Sequence, residues 1–315
     1  MSTTIAIADA LRPALVATER AHLLALAEQE LVDRDAAREA LRDPATTAGL
    51  LEGDLVEAGI AEAALRISVR NHLAGLKEAF LAARTALIER AAPERARQVE
   101  LGGEAVNLAD LLLAHERVLA RHTQRIGDLM GRLNLSPAGD GLPKAARDRI
   151  GGLLGFARAD ASGRDALTAR DHLAELAHLH AGTASSLARI HGELSSLGGR
   201  ISVAEAPVDL AAAAADALGA ALALEAAGGE PLPQAEQSWA IGARVIVALR
   251  ALGDALHGAS LPSSAGASDA VSQDAAESVA IDEVRQHREL LNALGLQLAD
   301  ASLELEEGVE TLLAR

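Results

Sequence analysis

Asn134-Leu135-Ser136-Pro137-Ala138-Gly139-Asp140-Gly141-Leu142-Pro143 opens the stretch on which the fold turns, and that stretch runs on to Leu194. Behind the turn come Gly152-Leu153-Leu154-Gly155-Phe156 and then Arg164-Asp165-Ala166-Leu167-Thr168-Ala169-Arg170-Asp171. An apolar-periodic helix follows, from His172 to about Leu194. Pro137 and Pro143 are barred from a helix interior, because proline lacks the amide hydrogen and its ring clashes with the preceding turn. The glycines between them permit backbone angles that other residues resist. Thr168 and Asp171 stand where a hydroxyl or carboxylate takes up the orphan amides of a helix start. Asp165, Arg170 and Asp171 are read as capping and bracing that helix rather than as reactive groups.

On both sides of this stretch the pattern is helix after helix. Residues 5–30 form one, with Ala21 to Gln29 carrying its apolar face, and Asp33 caps a short one ending near Arg42. Pro44, Thr46 and Thr47 start another that runs to about Ala61. A long helix is expected from about Ala64 to Ala91, ended by Pro93, and a second over 107–133. Pro207 to Ala226 is apolar on nearly all sides, which predicts burial all round. Asp209, Asp216 and Glu225 interrupt that run, so burial is preferred to a membrane span. A fifth long helix covers about 234–257. Residues 258–278, rich in Gly, Ser and Ala, read as a linker, and the acidic tail 279–315 as one or two helices.

Composition narrows the function classes. Half of the 315 residues are apolar but only 1% are aromatic, so the core must be built from Leu, Ala, Val and Ile, as close-packed helices allow. A net charge of −16 argues against nucleic acid and against an anionic membrane surface. The absence of Cys excludes disulfides, thiol catalysis and thiolate metal sites. The start, Met1-Ser2-Thr3-Thr4, has no basic region of a secretory signal, so a cytoplasmic location is expected. No metal site is expected either: His178 and His180 lie about 200° apart around a helix, and His115 and His122 read as partly solvated residues on one stripe. No Gly-rich phosphate loop or nucleophile elbow is present, and no cofactor is expected.

The Asn-x-Ser-Pro-x-Gly-x-Gly turn at 134–141, the Leu-Leu-Gly-Phe segment at 153–156 and the Asp-Ala-to-Arg-Asp run at 165–171 resemble the argininosuccinate lyase branch of the fumarase/aspartase superfamily, in the same order and at similar spacing. The resemblance implies an all-α fold: a long central five-helix bundle (64–258), a small N-terminal helical domain (1–63), a linker (259–278) and a reduced C-terminal helical region (279–315). It also implies a homotetramer associating through the bundle helices, with a dimer as fallback. A lone bundle would leave the alanine-rich fourth helix uncovered, which points the same way.

Lyases of that family remove a proton next to a carboxylate and hold the resulting anion while a nitrogen leaving group departs, which calls for a base, an anion-binding set and a closing loop. The resemblance places the base-bearing loop at 198–207, where the chain has no lysine, keeps Ser202 and carries Glu205. A carboxylate there would repel the substrate's carboxylates. The two lysines of the chain, Lys77 and Lys144, lie elsewhere. The family's catalytic histidine falls on Val99, and its substrate-binding tyrosine has no counterpart in a chain without Tyr. Of the Ser-Arg-Asn-Asp segment, Ser68-Val69-Arg70-Asn71-His72 keeps Arg70 and Asn71 and puts His72 in place of the acid. The expected ligand-binding residues are therefore Arg70, Asn71, Asn134 and Ser136, with His72 and Ser202 as the catalytic candidates. The functional expectation is a non-catalytic oligomeric protein that has lost the lyase machinery. The alternative is a repurposed enzyme of small-molecule biosynthesis using the inherited inter-subunit cleft.

Overall fold

A computed structural model describes residues 7–42, 54–137, 141–159, 171–197, 209–226, 232–258 and 270–314. Among the described residues nine α-helices carry almost all of the regular structure, so the all-α expectation holds. They are α1 (Ile7–Glu28), α2 (Arg34–Arg42), α3 (Asp54–Ala91), α4 (Leu108–Leu133), α5 (Lys144–Leu153), α6 (Asp171–Ser196), α7 (Leu210–Ala226), α8 (Leu232–Gly258) and α9 (Ala270–Ala314). Two minor pairings complete them: an antiparallel hairpin of β1 (Gln98–Leu101) with β2 (Glu104–Asn107), and a two-residue parallel bridge of β3 (Leu135–Ser136) with β4 (Arg158–Ala159). The chain divides into two compact units that interleave in sequence. One is built largely from 73–129 and 170–290, the other from 5–72, 130–169 and 291–315.

In the first unit the core is aliphatic, as composition requires. Leu112, Leu119 and Ile126 repeat at seven-residue spacing on α4 and are fully buried, each worth about 2 kcal/mol by removal from water. Leu187, Ile190 and Leu194 form the corresponding stripe on α6, which packs against α7 and α8. Asp209 caps α7, its Oδ1 accepting the amides of Ala211 and Ala212 at 3.1 and 3.0 Å. Within one chain this helix is not buried all round, in keeping with the expectation that a lone bundle leaves it partly uncovered. Leu210, Ala213, Ala217, Ala220, Ala221 and Leu224 are buried, whereas Leu218 and Leu222 are 46% and 55% exposed. Alanine explains the difference: it is compatible with burial on any face without demanding it, so composition alone hides a one-sided helix. Among the described residues no helix is long and apolar enough to cross a membrane.

The hairpin was not anticipated. Its turn is Gly102-Gly103, with φ of +60° and +87°, the pair of left-handed residues that a tight two-residue hairpin loop demands. Two other elements differ from expectation. The helices expected to break between Ala61 and Ala64 are one continuous α3, since no proline or cap intervenes. Residues 270–278, expected as linker, are the first turns of α9; Arg95 bridges to Asp274 and Glu277 and holds them against the unit.

In the second unit Ala21, Leu24, Ala25, Ala63, Ile150, Leu153, Leu154, Phe156, Leu305 and Val309 make the main core. Asp33 caps α2 as expected, with its Oδ1 2.9 and 3.0 Å from the amides of Asp35 and Ala36. Gly308 lets α9 lie close on α1: a Cβ there would come within 2.5 Å of the Leu24 Cδ2.

Candidate functional site

The Leu-Leu-Gly-Phe segment ends α5 in a way that positions the site. Gly155 adopts φ +66°, its amide donates to Gly152 O, and the amide of Phe156 donates to Gly151 O, both at 2.9 Å. This is the double helix-end closure that glycine permits, and it turns the carbonyls of Leu154 and Gly155 away from the helix. Arg70, projecting from α3, meets them: Nη2 donates to Leu154 O at 3.1 Å and Nη1 to Gly155 O at 2.9 Å. Nη1 also donates to Asn134 Oδ1 at 3.3 Å, and the guanidinium carbon lies 4.9 Å from the Phe156 ring centre.

The turn at 134–136 is tied to the same place. The amide of Ala157 donates to Asn134 O at 3.1 Å, and Leu135 and Ser136 pair with Arg158 and Ala159. Arg66 anchors the turn from α3, donating to Leu135 O at 3.0 Å, while its Nε binds Glu62. Ser136 is buried against Gly151, where any Cβ would sit 3.3 Å from the serine Cβ.

Of the expected ligand-binding residues, the structure therefore joins Arg70 directly to Asn134 and buries Ser136 in the adjoining strand pair. Asn71 is exposed beside Arg70. His72 is half-buried, and burial pushes its imidazole down to about 4, so it is neutral near pH 7. Ser202, like Thr168, Asp165 and Arg170, lies outside the described residues. Phe156 and Gly155 were not foreseen as partners of Arg70, although the segment carrying them was singled out; a carbonyl acceptor has no side-chain signature in sequence.

Arg70 is 2% exposed and, among the described residues, forms no ion pair; its hydrogen bonds there go to three neutral oxygens. Burial pushes the guanidinium down to about 10, which still leaves it charged at neutral pH. Among the described residues its Nε–H has no hydrogen-bond partner. Beside it lies a cavity of about 370 Å³ within the second unit, whose polar lining is Arg70, Asn71 and Ser302. Its walls include Ala17, Ile67, Leu153, Leu154, Leu298 and Leu305.

Elsewhere the histidines are engaged separately. His178 meets Glu225 at 2.9 Å and His180 meets Ser238 at 3.2 Å, while His122 meets Ser186 at 3.0 Å and His115 lies 3.3 Å from Glu193. Among the described residues no three His, Asp or Glu side chains converge as metal ligands. Val99 is a buried residue of β1, paired with Val106. Lys144 pairs with Asp148 on the surface of α5, and Lys77 is buried in the first unit, its Nζ near Gly127.

No protein-family model matches the chain. An argininosuccinate lyase of Natronomonas pharaonis is 29% identical over 219 residues, covering 57% of this chain and 44% of that protein. That of Methanosarcina mazei is 32% identical over 142 residues, covering 41% of this chain and 28% of that protein. The chain thus spans less than half the length of these relatives. Among solved structures, EDDS lyase in complex with formate superposes with a TM-score of 0.71 at 17% identity, covering 98% of this chain and 93% of that one, a likeness of fold. In sequence the chain is thus similar to argininosuccinate lyases over part of their length, and in fold it is similar to EDDS lyase.

Proposed function

We propose that this chain is an argininosuccinate lyase-like protein that no longer carries out the lyase reaction and acts as a non-catalytic, self-associating protein of the cytoplasm. The observation that carries this reading is the state of Arg70. A lyase of this kind must grip the carboxylates of its substrate with several cations, and a cation does so best with a free pair of donors. Here the Arg70 fork is committed to Leu154 O, Gly155 O and Asn134, where it locks the end of α5. The position that the resemblance assigns to a proton-moving histidine is a buried valine, and neither lysine falls in the stretch 198–207 where the resemblance places the base-bearing loop. Purified protein incubated with argininosuccinate should release no fumarate; measurable turnover would sink the reading.

Self-association is supported by the exposed side of α7, where Leu218 and Leu222 stand among alanines and glycine. We expect a homotetramer, with a dimer as the smaller form, in light scattering of the purified protein. The second reading, a repurposed biosynthetic enzyme, is favoured by the cavity beside Arg70, which a pure scaffold would have filled. Ligand-dependent turnover of a pathway metabolite, abolished by Asn71→Ala, would decide for it.

A further inference from the structure

We infer that Lys77 is a site of reversible modification by carbon dioxide, its amine forming a carbamate in the space that Gly127 leaves open, with Arg84 and His287 supplying donors to the new anion. This goes beyond the non-catalytic reading, since the adduct needs no lyase turnover.

Lys77, Arg84, Gly127 and His287 all belong to the first unit. Lys77 and Arg84 stand two turns apart on α3 and so share one side of that helix. Lys77 is 4% exposed and, among the described residues, has no carboxylate partner. The other cations of the cluster are already answered, Arg84 by Glu116 and Glu283, and Arg117 by Glu283. Lys77 is the odd charge, and desolvation pushes its ammonium down from the usual lysine range. Burial thus favours the neutral amine, which is the nucleophilic form.

Space and unmet donors single out the electrophile. At Gly127 on α4 an added Cβ would meet Lys77 Nζ, at 3.8 Å, and nothing else within 4 Å, so the glycine leaves room for a few atoms directly beside the amine. Arg84 Nη1 and His287 Nδ1 are both buried and, among the described residues, without a hydrogen-bond partner. Burial, and after it the charges of Lys77 and Arg84, push the His287 imidazole down against the opposing pull of Glu283, so the three nitrogen-bearing groups act on one another. What this cluster lacks is an acceptor. An aldehyde would condense to an imine, which supplies no anion to those donors. Carbon dioxide is small and uncharged, and its adduct carries an anionic pair of oxygens. The amine lone pair forms the new N–C bond, one C=O electron pair moves onto oxygen, and the nitrogen's proton passes to the His287 imidazole. The products are a lysine carbamate and an imidazolium, so the cluster gains no net charge, and the new anion helps His287 to keep its proton.

The intact chain at pH 7.5 with isotope-labelled bicarbonate, which equilibrates with dissolved carbon dioxide, tests this. Carbon NMR should show a carbamate resonance that saturates at one per chain. Trapping with an alkyl oxonium salt and peptide mass mapping should place it on Lys77. Lys144, exposed and paired with Asp148, is the internal control and should stay unlabelled. Gly127→Leu, which fills the space, and His287→Ala, which removes a donor and the proton acceptor, should each lower occupancy at least fivefold. The proposal is overturned by the absence of a carbamate on the folded chain, by labelling of Lys144 equal to that of Lys77, or by either variant folding and carrying the label unchanged. Trapping on the unmodified chain decides the matter even if neither variant folds. Fumarate release from argininosuccinate would overturn the non-catalytic reading and leave this one standing.

Discussion

Two fully enclosed arginines, one in each unit, are handled in opposite ways. Arg84, in the first unit, has its Nε 2.7 Å from Glu116 and its Nη2 3.0 Å from Glu283, and Glu283 also meets Arg117 at 3.2 Å. Its charge is answered by carboxylates from α4 and α9, although its Nη1 is left without a hydrogen-bond partner among the described residues. Arg70, in the second unit, has only carbonyl and amide oxygens and the face of Phe156. A cation of the first kind ties helices together through carboxylates, whereas one of the second kind fastens a helix end through its carbonyls.

The largest effect expected on this comparison comes from acid, and it should not distinguish the units. His22 and His72 in the second unit, and His115 and His122 in the first, all have imidazoles pushed down to about 4, in each case chiefly by burial. Arg121 and Arg125 push His122 further down, while Glu193 partly opposes the fall at His115. A folded-state value below the unfolded one means that the unfolded chain binds more protons between the two. This stabilisation is therefore complete above pH about 6.5 and is lost as pH falls toward about 4. Circular dichroism melts across that window should show both units failing together; a unit that survived to pH 4 would break the symmetry. Glu116→Ala comes next, because it leaves Arg84 enclosed with half its counter-charge, and should cost about 3–5 kcal/mol in urea unfolding.

The helical frame was largely legible because its signals are local. The Asp33 cap, the seven-residue stripe of α4 and the start of α6 at Asp171 each follow from spacing within one element. The hairpin at 98–107 was missed although Gly102-Gly103 between Val99 and Val106 is its signature; helical context drew attention elsewhere. The start of α9 was missed because Asp274 and Glu277 are ordered by Arg95, distant in sequence, and composition suggested a linker. The site was legible as residue names and not as roles. Sequence points to Arg70 and Asn134, but a guanidinium closing on backbone carbonyls depends on the helix-end geometry at Gly155.

Arg70→Met should have a smaller effect on stability than Glu116→Ala. It removes a charge that no carboxylate compensates, and the loss that remains is that of donors to Leu154 O and Gly155 O. That difference should amount to about 1–3 kcal/mol by chemical denaturation. A loss equal to that of Glu116→Ala would mean that Arg70 is as much an internal brace as Arg84, and the contrast between the units would fail.

Gly308→Ala sharpens the comparison from the packing side, with the smallest expected change. The added methyl would lie 2.5 Å from Leu24 Cδ2, too close to coexist with the present rotamer. The obstacle is the end of a flexible side chain rather than backbone, so Leu24 can swing aside, and a helical alanine is itself preferred to glycine. Overpacking of this kind costs about 1 kcal/mol once the neighbour yields, partly offset by the propensity gain. Gly308 and Leu24 border a different cavity, one lined by Arg34, Arg149 and Glu307. The substitution should therefore lower the Tm by a few degrees. An unchanged Tm would mean that Leu24 finds another rotamer at no cost and that the contact of α9 with α1 is not set by the missing methyl of Gly308.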